Sequence, residues 1–131
     1  MLSDRFVAAA EAFDPEAMRQ ALAPEVRFLS PVVFRAYEGR DLVLMILGAA
    51  SRVLEDFTYV NKLGGADSAA LIFTARVGDR ELDGLDLLRF DSDGLVSELM
   101  VMVRPLSGAN ALAEAMGREF ESLGIAVPGK A

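Results

Sequence analysis

Three residue types are missing outright: the 131 residues contain no Cys, no His and no Trp. Without Cys there is no thiol nucleophile, no disulfide and no thiolate metal site, and a chain without disulfides has the cytoplasm as its default location. Without His the commonest general base and the commonest transition-metal ligand are both lost, which argues against Ser-His-Asp catalysis, zinc hydrolysis and haem ligation. Proton chemistry is left to Asp, Glu, Lys, Tyr and Arg. Positive charge is also scarce. The 13 Lys and Arg residues against 20 Asp and Glu leave a net charge of −7, which disfavours nucleic-acid backbones and anionic membrane surfaces as partners. No run of about 18 apolar residues occurs, and Met1-Leu2-Ser3-Asp4-Arg5 opens a mixed segment without the basic and apolar regions of a leader. A soluble protein is expected.

What is present is apolar residue in quantity, 53% of the chain, enough at this length for one core without staples. One domain is expected over residues 1–124, with 125–131 as a loose tail. Ser3 is placed to cap a first helix over about 3–13, on which Phe6, Val7, Ala10 and Phe13 share one face. Asp14-Pro15 restarts a short helix, because Asp caps well and proline fits the first helical position. It carries Met18, Ala21 and Leu22 inward and ends before Pro24. An extended segment from Val26 to Leu29 breaks at Ser30-Pro31, and Val32 to Tyr37 is irregular or a short strand. Leu42, Val43, Ile46, Leu47, Ala50, Val53 and Leu54 mark a third helix over about 40–54. The period then changes. Phe57 to Leu63, Ser68 to Val77, Glu81 to Asp91 and Leu95 to Arg104 are β-rich runs joined by short Gly- and Asp-containing turns, the signature of an antiparallel meander. A last helix from Ser107 to Leu123 carries Leu112, Met116, Phe120 and Leu123 on one face. Helices followed by such strands predict an α+β layer fold, helices on one sheet face.

Several segments, in order, carry a resemblance. They are Phe13-Asp14-Pro15-Glu16-Ala17, Leu22-Ala23-Pro24-Glu25-Val26, Ser30-Pro31, Tyr37-Glu38-Gly39-Arg40, and the hairpin Leu85-Asp86-Leu87-Leu88-Arg89-Phe90-Asp91-Ser92-Asp93-Gly94-Leu95-Val96. Across nearly the whole chain this layout resembles the nuclear-transport-factor-2-like superfamily, in its SnoaL-like and ketosteroid-isomerase-like branches. The resemblance implies a cystatin-like cone, a curved antiparallel sheet wrapped around a long helix with an apolar cavity inside, and commonly a dimer through the outer sheet face. Matched against ketosteroid isomerase, the strand aspartic acid that donates a hydrogen bond to the substrate oxygen falls on Asp86. The isomerase base, an Asp before a Pro, falls on Ser30, and its first-helix Tyr falls on Phe6. With two of three roles replaced, the match argues against ketosteroid isomerisation itself. The epoxide-hydrolase branch needs carboxylates bridged by an Arg, and Arg89 and Asp91 lie on the opposite strand parity from Asp86. The cyclase branch, which also places an aspartic acid in its cavity, remains.

Strand alternation puts Leu82, Gly84, Asp86, Leu88 and Phe90 on one face and Glu81, Asp83, Leu85, Leu87, Arg89 and Asp91 on the other. If the first face is inward, Asp86 stands among apolar neighbours, its pKa rises and it serves as a neutral donor. If Leu85 and Leu87 face the core instead, Asp86 is in water. The resemblance favours the first arrangement and makes Asp86 the candidate catalytic residue. Phe6, Phe28, Ser30, Tyr37, Tyr59, Phe73, Leu88, Leu99, Val101 and Val103 are the candidate ligand-binding residues. For Tyr37 and Tyr59 ordinary packing is the competing role. For Ser30 it is a bond to the local backbone at the Pro31 turn. The outer face, with Ile72, Thr74, Leu85, Leu87, Met100 and Met102, is too apolar to stay wet and predicts a homodimer, with Arg104 pairing at its rim or with the chain end. No nucleotide, flavin or metal motif is present, since Gly64-Gly65 and Gly108 have neither the spacing nor the setting of a phosphate loop, and no cofactor is expected. Two functions stay open: an acid-base enzyme acting through Asp86 on a hydrophobic carbonyl compound, and a non-catalytic ligand-binding or dimerisation module.

Overall fold

The computed structural model describes residues 1–128. The first reversal of the chain is set at Asp14, whose carboxylate accepts the amides of Glu16 and Ala17 at 3.1 Å each while Pro15 fills the first helical position. Helix α1 (Asp4–Ala12) therefore folds back into α2 (Pro15–Ala21) as the expected hairpin. Ser3 precedes α1 but does not cap it with its side chain. Its backbone is already helical, with φ −73° and ψ −12°, whereas a side-chain cap needs an extended residue, and its hydroxyl is left buried without a partner.

Strand β1 (Leu22–Leu29) starts earlier than the alternation predicts and includes Pro24. Pro24 is tolerated because it lies in the gap between Leu22 and Arg27 where the ladder to β6 loses register, so its missing N–H breaks no bond. The chain continues through β2 (Tyr37–Glu38), α3 (Arg40–Val53), β3 (Glu55–Gly64), β4 (Ser68–Val77), β5 (Arg80–Phe90), β6 (Val96–Arg104) and α4 (Leu106–Leu123). The six strands form one sheet in the order β2-β1-β6-β5-β4-β3. The last four make the expected antiparallel meander. The sheet is nonetheless mixed rather than wholly antiparallel, because β1 pairs parallel with β6. That pairing is possible because β2, α3 and the strands β3, β4 and β5 intervene, giving the long connection a parallel neighbour requires.

The helices lie on one face of the curved sheet, α3 against β1 and α4 against β4, β5 and β6. This is the α+β layer fold the pattern predicts and the cystatin-like cone the resemblance implies. On the inner face Leu71, Phe73, Leu82, Leu88 and Leu99 are buried. The outward residues Ile72, Thr74, Leu85, Leu87 and Met100 are half-buried, and Met102 is 49% exposed. Arg104, predicted to find a partner at the rim, pairs across the strands with Asp83 at 2.6 Å. The last helix ends in a Schellman turn at Gly124 (φ 70°), where the amide of Ile125 reaches the Phe120 carbonyl at 3.0 Å. Ile125 thereby packs on the core and Val127 reaches the cavity wall; of the expected tail, residues 129–131 lie outside the described residues. Leu123, expected on the inward stripe, is 37% exposed, since the helix ends there.

Two glycines of α4 differ in what surrounds them. A Cβ at Gly108 would come within 2.9 Å of the Glu81 carbonyl oxygen, whereas at Gly117 it would meet nothing within 4 Å. Gly108→Ala is expected to destabilise the protein by about 1–3 kcal/mol through the forced separation of α4 from β5. Gly117→Ala is expected to stabilise it by up to about 1 kcal/mol through helix propensity. Urea unfolding of the two variants should give shifts of opposite sign; shifts of the same sign would contradict the close approach.

Candidate functional site

The β5 alternation resolves in favour of the inward arrangement: Asp86 is only 7% exposed, with Leu82, Gly84, Leu88 and Phe90 buried on the same face. Its one side-chain partner is Tyr59, whose phenol donates to Asp86 Oδ2 at 2.8 Å. The pair is not a neighbouring one. Tyr59 sits on β3 and Asp86 on β5, with β4 between them. Flat strands two apart are separated by about 10 Å, so the phenol reaches the carboxyl only because the sheet curls. Register irregularities on either side of Tyr59, between Glu55 and Thr58 and between Tyr59 and Asn61, bend β3 where the reach is made.

Burial raises the Asp86 pKa from the ordinary 3.8 to about 7, and the Tyr59 hydrogen bond, which favours the charged form, opposes that rise. The Tyr59 phenol is itself held well above its usual range, first by burial and then by the Asp86 carboxylate beside it. Asp86 therefore exchanges its proton near neutrality, while Tyr59 keeps its own and acts as a donor. Burial also raises Tyr37.

Asp86 lies in the wall of a partly open cavity of about 270 Å³ between the sheet and the helices. Of the residues singled out from sequence, Phe6, Phe28, Ser30, Tyr37, Tyr59, Phe73, Leu99 and Val101 line this cavity together with Asp86. Two do not. Leu88 points inward but is sealed in the core with no exposed surface, and Val103 borders a shallow groove beside Phe34 and Met102. The Ser30 hydroxyl is occupied by the backbone, accepting the amides of Val32 and Val33 at 3.2 and 3.1 Å. Asp14 also lines the cavity, but its carboxylate caps α2. No lining residue is a Lys or Arg, and among the described residues no cluster of acidic side chains has the makings of a metal site.

Sequence reasoning missed several wall residues: Phe57, whose ring centroid lies 4.7 Å from that of Phe73, and Met116 and Phe120 from α4. The signals were there. Phe57 shares strand parity with Tyr59, and Met116 and Phe120 stand on the apolar stripe of the last helix.

A steroid delta-isomerase from Pseudomonas aeruginosa has the same fold at a TM-score of 0.88 and 40% sequence identity, over 95% of this chain and 93% of that one. The chain belongs to the ketosteroid-isomerase-like branch of the nuclear-transport-factor-2-like superfamily. A bacterial protein with a cystatin-like fold from Silicibacter pomeroyi DSS-3 is 29% identical at a TM-score of 0.88, over 92% of this chain and 86% of that one. A nuclear-transport-factor-2-like protein from Cytophaga hutchinsonii ATCC 33406, 15% identical at a TM-score of 0.67 over 81% of this chain and 89% of that one, shares the fold. No family model matches the chain, and no curated protein does. In this ketosteroid-isomerase-like chain no helix among the described residues is long and apolar enough to cross a membrane.

A buried carboxyl with a raised pKa costs stability when it ionises. Between the unfolded value near 3.8 and the folded value of about 7 the native state holds a proton that the unfolded state has lost, so stability falls as pH rises through that window and levels off above it. Asp86→Asn keeps an acceptor for Tyr59 and removes the charge. It is expected to be more stable than the wild type by a few kcal/mol above pH 7, at about 1.4 kcal/mol per pKa unit, and to lose that advantage below pH 4. Urea unfolding of both proteins across this range checks the sign; an advantage independent of pH would place Asp86 in water.

Proposed function

We propose that the protein binds an uncharged, apolar small molecule carrying a carbonyl oxygen, and that Asp86 exchanges a proton with it in an isomerisation- or cyclisation-type reaction. The observation that carries this reading is the Asp86 carboxyl in the wall of a mostly apolar cavity, where burial pushes its pKa up to about 7. At neutral pH both of its forms are populated, one a donor to a carbonyl and the other a base, which is where acid-base catalysis is most effective. A cavity without cations gives no compensation for a carboxylate or phosphate, so anionic ligands are disfavoured. Its volume lies just under the roughly 300–1,000 Å³ common for ligand sites and suits a compact ligand. Similarity to a steroid delta-isomerase supports carbonyl chemistry. The roles expected are a proton donor or acceptor at Asp86 and apolar packing at Phe6, Phe28, Tyr37, Phe73, Leu99 and Val101.

One observation favours a second reading, a non-catalytic binding module in which Asp86 orients the ligand. The position matching the isomerase base is Ser30, whose hydroxyl is engaged by the loop, and Phe6 has no hydroxyl to offer. Assay of β,γ-unsaturated ketones, followed by the absorbance of the conjugated product, separates the two. The enzyme reading expects turnover that falls by about 10²-fold or more in Asp86→Asn while ketone binding changes only a few-fold. Binding without turnover in the wild type establishes the module.

The composition without Cys supports a cytoplasmic location. The half-exposed outer face, with Ile72, Leu85, Leu87, Met100 and Met102, supports pairing with a second copy of the chain. Sedimentation should show a dimer that the double variant Leu87→Lys with Met102→Lys converts to a monomer; a monomeric wild type would rule the pairing out.

A further inference from the structure

The phenol of Tyr59 is held by a stack of aromatic rings that depends on one missing side chain. Gly84 lies directly opposite Phe73 in the β4–β5 ladder, and a Cβ there would overlap the Phe73 ring. Phe73 therefore lies down over Gly84. Phe57 stacks on Phe73 at 4.7 Å, and Tyr59 meets Phe57 edge to face at 4.9 Å and Phe73 at 6.3 Å. The Tyr59 ring is thus packed on two sides, and its hydroxyl ends on Asp86 Oδ2. The other carboxyl oxygen is placed differently. Oδ1 has no side-chain or backbone partner among the described residues, yet it is not among their sealed, unpartnered polar atoms, which are Ser3 Oγ and Arg40 Nε. It is the oxygen open to the cavity.

A neutral carboxyl can carry its proton on either oxygen. Here Oδ2 accepts a hydrogen from a phenol that does not give it up, so a second hydrogen on Oδ2 would face the first. We propose that Tyr59 is a positioning residue that confines the exchangeable proton of Asp86 to Oδ1, the oxygen facing the ligand. The inference rests on the reading of Asp86 as the proton-transferring group. The same hydrogen bond becomes charge-assisted when Asp86 ionises, so Tyr59 also limits how far burial lifts its pKa. Few other groups compete. Glu11 on α1 acts on Tyr59, Tyr37 on β2 and the capping Asp14 line the cavity, and α3, α4, β4 and β6 contribute no ionisable residue to the wall.

Tyr59→Phe removes only the hydroxyl and keeps the stacked ring. Carbon-detected NMR titration should show the Asp86 pKa moving up from about 7 by about one unit or more, the loss of one hydrogen bond to a charged group. The second readout is the affinity for 2-acetylnaphthalene, a neutral ketone, followed by fluorescence against pH. Because the protonated carboxyl is the donor, affinity is full at low pH and declines as Asp86 ionises, and in Tyr59→Phe that decline should move to higher pH by the same interval. An Asp86 midpoint unmoved in a folded Tyr59→Phe protein overturns this inference alone. A wild-type affinity indifferent to pH across neutrality removes the ligand reading, and the inference with it. Should Tyr59→Phe fail to fold, the wild type suffices. The Tyr59 Cζ chemical shift should titrate with the Asp86 midpoint, and a Cζ shift flat through that midpoint overturns the proposal.

Discussion

Strands β4 and β5 are paired without a break from Ser68 opposite Arg89 to Val77 opposite Arg80, and the interior of the molecule follows from that register. A slip of one residue in β5 would turn Asp86, Leu88 and Gly84 outward and bring Leu85, Leu87 and Arg89 in. The charge on Arg89 makes such a slip costly, as does the loss of the Gly84 notch that receives Phe73. Register here does more than bury apolar surface. It decides that one carboxyl, and no other ionisable group on its strand, is buried.

Curvature then supplies what register cannot. The interruptions in β3 and the glycine in β5 let the sheet close around α4, and in a curled sheet a tyrosine spans an intervening strand. A strained residue also borders the cavity. Phe13 closes α1 in the left-handed region (φ 52°), a conformation bulky residues rarely adopt, and it lies at the cavity while Asp14 beside it caps α2. An ionisable group in hydrocarbon and a strained phenylalanine are both losses in folding, and sites that bind or react are where such losses persist.

Much of this was legible in the residues. The meander, the three longer helices and the capping role of Asp14 follow from local chemistry: alternation, the 3.6-residue period, Gly- and Asp-rich turns and Asp-Pro. The inward face of Asp86 was legible only with the family resemblance, because leucines flank it on both parities. What was not legible depends on distance along the chain. The Tyr59–Asp86 bond joins residues 27 positions apart across a strand that separates them, and no periodicity encodes it. The parallel pairing of β1 with β6 depends on which edge stays free after the meander forms. Ser3 failed as a cap for a reason invisible in its identity, the helical backbone it already had.

Asp86 stands in a single wall of the cavity, and apart from its partner Tyr59 the lining is mostly apolar. A planar ligand seated in the cavity turns one face towards β5 and the other towards the helices. In the reaction proposed above, a hydrogen transferred from Asp86 would arrive on the β5 side only. Any carbon that becomes a stereocentre in that step is made in one hand, and a prochiral ketone or enol is treated as two different molecules according to the face it presents.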